Sequence, residues 1–250
     1  MPPDERVRAG LNAAVRSSGS GPSAADRLCR ACVDLLTVDG ASLSLMHAGA
    51  SQGTVGASGD LSRRLDELQF TFGEGPCYES VRQSGPVLVP DLRDPAEHRW
   101  PAFSSEVLQS GVQAVFALPV SAAATSIGVL ELFRSTPGPL SEPDLSGGLL
   151  AAELAALPLL DLLAGEQDRT RNGNEDAFSE LAALERVEVY QATGMLMGQL
   201  GCSSAEALVR LRAHAFADGM TASEVAWLIV DRQLALEPDS PWSPPGGATR

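Results

Sequence analysis

Four cysteines and three histidines are the side chains of this 250-residue chain best suited to nucleophilic, redox or metal chemistry. Cys29 and Cys32 form a CxxC pair, whose spacing on a helix places both thiols on roughly one face. A zinc site needs four ligands, and the sequence contains no second CxxC or HxxxH to supply them. A thioredoxin-like pair would follow a strand, whereas this pair lies inside the helix predicted over residues 24–36. The spacing therefore favours buried structural thiols.

Cys77 closes the segment GEGPC, in which two glycines predict a loop and Pro76 predicts the first position of a helix. A helix N-terminus lowers the pKa of a thiol, so one interpretation of Cys77 is a ligand- or redox-sensing residue. The other is a small buried residue that closes the loop. The histidines show no ligand spacing. The sequence thus indicates no metal, no catalytic residue and no enzyme, and it leaves any cofactor unknown.

The charge of the chain limits how it could bind nucleic acid. The net charge is −14, with 18 basic residues, none of them lysine, against 32 acids. An acidic protein gains little from the phosphate contacts that drive non-specific binding. From residue 174 to residue 236, four arginines stand against nine acids. An RNA site in this stretch would depend on shape and on a few placed contacts.

The first two thirds of the chain predict a sheet flanked by helices. The apolar runs 113–120 and 127–133 are rich in β-branched residues and predict adjacent central strands, covered on both faces. Further strands are predicted at 41–47, 53–57 and 86–89, and helices at 24–36, 60–68, from Pro76, from Trp100 to Gly111, and at 142–163 with an interruption at Pro158.

Five short motifs follow one another in this region: GEGPC (73–77), PVLVPDL (86–92), RWPAF (99–103), FALPV (116–120) and IGVLELF (127–133). In this order they resemble the GAF domain of actinobacterial regulators. The resemblance covers residues 23–165. It implies a small-molecule or redox sensor module, commonly dimeric, with a pocket between the sheet and its helices.

Residues 185–236 predict three short amphipathic helices with tight turns, and hence a small bundle. Ser203 with Glu206, and Thr221 with Glu224, have the spacing of capping boxes. The apolar pattern predicted for the first helix is Val187, Tyr190, Met195 or Leu196, and Leu200; for the second, Ala207, Leu208, Leu211 and Ala215; for the third, Val225, Leu228, Ile229 and Leu234.

Four motifs of this stretch resemble the ANTAR domain, an RNA-binding three-helix bundle that acts in transcription antitermination. They are QATGMLM (191–197), SSAEAL (203–208), LRAHA (211–215) and TASEVAWLIV (221–230). Where the family usually has a lysine, this chain has Thr193, so a phosphate-directed cation is missing. The RNA-binding residues that the resemblance implies are Gln191, Ala192, Thr193, Gly194, Arg210, Arg212 and His214. The alternative is that Ala192, Gly194 and Met195 pack helix on helix.

The fold class we predict is α+β: a GAF-like mixed sheet covered by helices on both faces, followed by an all-α three-helix ANTAR bundle. The domains we expect are a flexible arm (1–22), a sensor domain (23–165), a linker (166–175), the bundle (176–236) and a disordered tail (237–250). A stripe of Phe178, Leu181 and Leu184 is a candidate dimer seam.

The N-terminus has no apolar core of a signal peptide, and the run 149–163 is too short to span a bilayer, so we expect a cytoplasmic protein without a membrane partner. The sequence favours a regulator that binds structured RNA hairpin loops under the control of an unknown small-molecule or redox signal, as a homodimer. Two alternatives stay open. One is a dimerisation or protein-interaction module that has lost RNA binding. The other is a GAF-fold thiol enzyme, which needs a resolving cysteine near Cys77, for which only Cys29 and Cys32 are at hand.

Overall fold

A computed structural model of the chain describes residues 3–16, 22–47, 50–123, 125–172 and 186–236. The chain divides into two compact units, Met1–Glu185 and Arg186–Arg250. The predicted dimer seam at Phe178, Leu181 and Leu184, the end of the predicted linker (173–175) and the predicted tail (237–250) lie outside the described residues.

A five-stranded sheet in the order β2-β1-β5-β4-β3 organises the first unit. Its strands are β1 (Gly40–His47), β2 (Ala50–Ala57), β3 (Val87–Val89), β4 (Ala114–Ala122) and β5 (Thr125–Arg134). The α+β fold class and the adjacent pairing of β4 with β5 are confirmed. Every pairing is antiparallel, where we predicted mixed directions. Short connections join β1 to β2 and β4 to β5, and such connections produce antiparallel neighbours.

Helices cover both faces of this sheet. They are α1 (Pro3–Arg16), α2 (Pro22–Leu35), α3 (Asp60–Phe72), α4 (Pro76–Gln83), α5 (Pro101–Gln109) and α6 (Glu142–Asn172). On one face, α1, α2 and α6 pack on alternate strand residues such as Leu43 and Leu130. On the other, α3, α4 and α5 pack on residues such as Val115 and Val129. The sheet therefore separates two apolar cores.

The N-terminal segment forms a docked helix over residues 3–16, which corrects the prediction of a flexible arm (1–22) for these residues. Leu11 is fully buried, and Val7 and Val15 pack against the same core. These three residues recur at i, i+4 and i+8, which is the apolar stripe of an amphipathic helix. Helix α1 packs against α2 and α6.

Helix α6 is longer and more continuous than predicted. It passes Pro158 without a break and includes residues 166–172 of the predicted linker. By length and composition its Glu142–Ala164 part, which extends beyond the predicted apolar run 149–163 at both ends, could cross a membrane. Its inner face nevertheless packs in the core of the domain, through Ala151, Ala155, Leu159 and Leu162.

The second unit is the predicted three-helix bundle, formed by α7 (Val187–Leu200), α8 (Ser204–Asp218) and α9 (Ala222–Val230). Gly201 and Gly219 end α7 and α8 in the left-handed conformation that glycine adopts without strain. The Ser203 hydroxyl accepts the Glu206 N–H, and Thr221 forms a complete capping box with Glu224. The cap positions predicted for α8 and α9 are confirmed.

The buried face of α7 differs from the predicted one. It consists of Val189, Ala192, Thr193 and Leu196. Tyr190, which we placed in the core, is 61% exposed. Because residues 192 and 193 have small side chains, α7 packs closely, chiefly against α9. This close packing stabilises the bundle more than burial of the larger Tyr190 side chain would.

Candidate functional site

Cys77 lies in the first turn of α4 and is buried. Its backbone N–H donates a 2.8 Å hydrogen bond to Oε1 of Gln69 on α3. Gly75 precedes α4 with φ of +140°, and a Cβ added there would lie 2.4 Å from that same Oε1. Glycine is therefore required at 75 for the α3–α4 loop to approach Gln69.

The Cys77 side chain belongs to a buried hydrogen-bonded network. Its thiol donates to Oε2 of Glu131, with Sγ and Oε2 3.0 Å apart. Nε2 of Gln69 donates to the same oxygen at 2.6 Å. Glu131 lies on the central strand β5, so these contacts connect the sheet with α3 and α4. The second oxygen of Glu131, Oε1, is buried without a hydrogen-bond partner.

A second buried carboxylate, that of Asp66 on α3, adjoins this network. It accepts hydrogen bonds from Ser44 Oγ at 2.7 Å and from Thr54 Oγ1 at 2.8 Å. We call Ser44, Asp66, Gln69, Cys77 and Glu131 the polar cluster. All five side chains are buried, and buried carboxylates of this kind are costly unless they are hydrogen-bonded or protonated.

The electrostatics of the polar cluster contradict the low thiol pKa predicted for Cys77. Burial, followed by the charges of Glu131 and Asp66, raises the pKa of the Cys77 thiol well above its ordinary value. Burial also raises the pKa of Glu131 to about 7. Burial, together with the two carboxylates, outweighs the helix N-terminus, so the thiol stays protonated and is a poor nucleophile.

The CxxC pair lies on the opposite side of the sheet from Cys77. Cys29 and Cys32 are fully buried in the core formed by α1, α2 and α6, whereas Cys77 lies in the other core. Burial raises the pKa of Cys32 to about 12 and raises that of Cys29 as well. The prediction of buried structural thiols is confirmed, and in this fold neither can serve as a resolving cysteine for Cys77.

A surface groove of about 300 Å³ opens beside the α3–α4 loop (73–75), which directly precedes Cys77 and which we also call the Cys77 loop. The groove is lined by Gly73, Glu74, Gly75, Tyr78, Glu79, Arg82, Arg99 and Trp100. Arg99, one of these lining residues, forms ion pairs with Glu79 at 2.8 Å and with Glu97. Its guanidinium stacks over the Trp100 ring, 4.3 Å from the ring centroid. Glu74 accepts the N–H groups of Ala102 and Phe103 at the start of α5. Within the described residues, no group of histidine, cysteine and acidic side chains could hold a metal ion.

In the bundle, the predicted RNA-binding residues separate into buried and accessible ones. Ala192 is fully buried and Thr193 is 8% exposed. The Thr193 hydroxyl donates to the carbonyl of Val189 at 2.6 Å. These two residues pack between helices, so neither side chain lies on an exposed surface of the bundle. Position 193, where ANTAR domains usually have a lysine, therefore lies at the edge of the core of the bundle.

Gln191 and Gly194 lie on the opposite, exposed side of α7. A Cβ added at Gly194 would meet no atom within 4 Å. Tyr190 and Met197, four residues before and three residues after Gly194, flank it and are 61% and 39% exposed. We call Tyr190, Gln191, Gly194 and Met197 the α7 face. The sequence analysis placed Tyr190 on the apolar face of α7 and named Met197 only as part of the motif QATGMLM.

The predicted residues of α8, Arg210, Arg212 and His214, lie on its partly exposed flank. Arg210 forms a 2.9 Å ion pair with Glu206 one turn earlier. His214 lies 3.2 Å from a carboxylate oxygen of Asp218 one turn later. Arg212 is half-buried. The bundle from 186 to 236 holds four arginines and five acids, so the strong acidity of the 174–236 stretch comes from the residues that precede it.

Comparison with protein families identifies both units. A model of the GAF domain matches residues 22–157, more than half of the chain. A model of the ANTAR domain matches residues 179–230. No protein of curated function matches at a significant level.

Solved structures give the same fold for the first unit. The GAF domain of a phosphoenolpyruvate-protein phosphotransferase from Coxiella burnetii superposes with a TM-score of 0.54 at 16% identity, covering 66% of this chain and 96% of that one. The corresponding domain from Acinetobacter gives 0.52 at 15% identity, covering 67% and 99%. A free methionine-R-sulfoxide reductase from Neisseria meningitidis gives 0.49 at 14% identity, covering 66% and 91%, a likeness too remote to bear on activity. The chain therefore belongs to the GAF domain family, with its GAF domain at residues 22–157 followed by an ANTAR domain at residues 179–230.

Proposed function

We propose that this protein is a cytoplasmic, homodimeric regulator that binds structured RNA hairpin loops and causes transcription antitermination, under the control of its GAF domain. The observation that carries the proposal is the ANTAR match over 179–230, whose motif residues Gln191 and Gly194 lie on the exposed side of α7. ANTAR domains are known as an RNA-binding antitermination family, which is why RNA is the partner we propose.

The α7 face has the chemistry that recognition of loop bases requires. Gly194 leaves the helix backbone open to close approach. The Gln191 amide offers a donor and an acceptor for a base edge, and Tyr190 offers an aromatic ring on which an unpaired base can stack. Because positive and negative charges nearly balance in the bundle, RNA would be recognised through its shape and a few specific contacts and not through a general attraction to phosphate.

A small molecule is the signal that we propose for the GAF domain, in preference to oxidation of Cys77. Burial and the neighbouring carboxylates raise the pKa of the Cys77 thiol, and protonated buried thiols oxidise slowly. Gly75 and Tyr78 are among the residues that line the groove beside the Cys77 loop. A ligand there would shift the population of the α3–α4 loop, and the dimer would transmit the change to the paired bundles.

Fluorescence anisotropy of the full-length protein with a panel of RNA hairpins, single and paired, tests this proposal. Gly194→Glu adds a carboxylate to the α7 face where the structure has open space, so we expect at least a tenfold loss of affinity. Gly59→Glu is the matched control, because Gly59 is equally open but lies in the GAF domain. A full-length protein that binds no hairpin at low salt overturns the proposal.

A second candidate function is a protein-interaction module that has lost RNA binding. The exposure of Val209, Phe216 and Trp227, at 63%, 60% and 54%, favours it. Thr193→Lys discriminates between the two functions, since a lysine at this edge position could extend its stem along the helix and place its ammonium in water. RNA binding that appears only in this variant would support the second candidate.

A further inference from the structure

Arg99, in the segment that precedes α5, is held in a fixed plane by two carboxylates. Its Nε donates to Oε1 of Glu97 at 2.9 Å, and its Nη2 pairs with the other oxygen of the same carboxylate. Its Nη1 donates to Oε1 of Glu79 on α4 at 2.8 Å. Because each nitrogen of the guanidinium has a carboxylate partner, little further freedom is lost when another planar group stacks on it.

Trp100 supports one face of the Arg99 guanidinium. The guanidinium carbon lies 4.3 Å from the centroid of the Trp100 ring, and Trp100 itself is buried in the core beneath α3, α4 and α5. The Arg99 side chain is nevertheless 40% exposed and lines the groove beside the Cys77 loop. The face of the guanidinium that points away from Trp100 is therefore accessible, and it forms a cationic platform on which a flat ring can stack.

The charged residues that line the groove differ in how far their charges are already paired. Glu74 accepts two N–H groups at the start of α5, and Glu79 pairs with Arg99. Arg82 on α4 is 77% exposed, and within the described residues its guanidinium has only a 3.6 Å ion pair with Glu79. The N–H donors of Arg82 are therefore available to an acidic group of a ligand.

We propose that this groove binds a small aromatic acid, whose ring stacks on the Arg99 guanidinium opposite Trp100 and whose carboxylate or phosphate pairs with Arg82. This inference rests on the proposed function, because it names the chemical class of the small-molecule signal. A volume of about 300 Å³ is at the lower end for ligand sites and suits a ligand of one or two rings.

The groove is separate from the pocket between sheet and helices that the GAF resemblance implies. Its lining residues come from the Cys77 loop, from α4 and from the segment before α5, and none of them belongs to a described strand. The polar cluster and its apolar neighbours fill the space between the sheet and these helices. A ligand in the groove would therefore contact the loop and the helix ends directly.

Isothermal titration calorimetry of the full-length protein, without RNA, tests the ligand class. The probes are two aromatic carboxylates, salicylate and indole-3-acetate, and one aromatic phosphate, adenosine 5′-monophosphate, each up to about 5 mM. Cyclohexanecarboxylate is a control that has the charge without a flat ring, and benzamide is a control that has the ring without the charge. At least one aromatic acid should bind, and each control should bind at least tenfold more weakly. Binding of the carboxylates alone or of the nucleotide alone identifies the source of the ring.

Substitution of each arginine separates the contact with the ring from the contact with the acid. Arg99→Lys keeps the charge but removes the plane, so it should weaken binding at least tenfold. Arg82→Gln removes the cation and should weaken binding at least fivefold. Arg93→Gln is the matched control, because Arg93 is an exposed arginine of the same domain that does not line the groove. Circular dichroism checks the fold, and the exposure of Arg82 keeps its variant informative if Arg99→Lys is misfolded.

Absence of binding by all three aromatic acids overturns the proposal. So does equal binding of cyclohexanecarboxylate, or binding that neither Arg82→Gln nor Arg99→Lys weakens. A protein that binds RNA hairpins but none of the three probes would overturn this inference alone. A protein that binds an aromatic acid but no hairpin would overturn the proposed RNA-binding function alone.

Discussion

The thiol of Cys77 donates a hydrogen bond to the buried carboxylate of Glu131, with 3.0 Å between Sγ and Oε2. The two residues are 54 positions apart in the chain, and their contact joins the Cys77 loop to the central strand of the sheet. Because burial raises the pKa of Glu131 to about 7, this hydrogen bond is sensitive to the protonation of Glu131 at neutral pH.

The stability of the GAF domain should therefore carry a pH dependence that comes from Glu131. The folded protein holds the Glu131 proton up to about pH 7, whereas the unfolded chain releases it near the ordinary pKa of 4.5. The contribution of protonated Glu131 is fully present below the unfolded pKa and is lost as the pH rises to about 7. A shift of this size corresponds to about 3 kcal/mol.

Urea unfolding of the wild type and of Glu131→Gln, at several pH values between 4 and 8, measures this effect. Glutamine keeps an acceptor for the Cys77 thiol and does not titrate. The difference in unfolding free energy between the two proteins should fall as the pH rises from 4.5 to 7 and then level off. A difference that is independent of pH would show that Glu131 titrates in the folded protein as it does in the unfolded chain.

The rate at which each cysteine thiol reacts should fall as its burial increases. Cys202 is half-buried, and Cys29, Cys32 and Cys77 are buried. A thiol reagent such as DTNB should modify Cys202 of the native protein rapidly and the other three at least 100-fold more slowly, since reaction needs a solvated thiolate. Cys202→Ser should abolish the fast phase and Cys77→Ser should leave it intact. Loss of the fast phase in Cys77→Ser would restore the redox-sensor interpretation.

Gly75→Ala should destabilise the protein by about 2–4 kcal/mol, because the new Cβ meets Gln69 Oε1 and the backbone φ is unfavourable for alanine. Gly59→Ala is the matched control. Gly59 also precedes a helix, but its φ is −178° and a Cβ there meets nothing within 4 Å. Thermal or urea unfolding of the two variants compares them directly, and equal stabilities would mean that the α3–α4 loop relaxes freely.

Glu74 should stabilise α5 although it lies 27 residues before the start of that helix. Its Oε1 accepts the N–H groups of Ala102 and Phe103 at 2.8 and 3.1 Å, and Trp100, which precedes the helix, provides no side-chain cap. Glu74→Ala should cost about 1–2 kcal/mol of unfolding free energy. Glu74→Gln should cost less, because the amide oxygen still accepts. Equal losses in the two variants would assign the effect to charge alone.

The sequence predicted the features that depend on local patterns. Ser203 and Thr221 were recognised as helix caps because capping residues are set by spacing within one turn. The apolar runs of β4 and β5 predicted neighbouring strands, since strands buried on both faces need continuous apolar sequence. The ordered motifs of both domains led to the correct families.

Contacts between distant segments were not predictable in this way. The pKa of Cys77 is raised by burial first and then by Glu131 and Asp66, and no spacing rule brings these two residues to the Cys77 loop. The prediction for the buried face of α7 was wrong because it gave preference to Tyr190, which is larger than Ala192 and Thr193. Close packing of helices instead buries the small residues. Helix α1 was overlooked because its polar sequence contains only a narrow stripe, of which Leu11 is the central residue.

The measurement that tests the central claim most directly is the affinity of the full-length protein for hairpin RNA as a function of salt, for the wild type and for Gly194→Glu. Binding that changes little with salt and is lost in Gly194→Glu would agree with recognition by the α7 face through shape and a few placed contacts. Absence of binding at every salt concentration would contradict an RNA-binding function. Equal binding by both proteins would place the RNA on another surface.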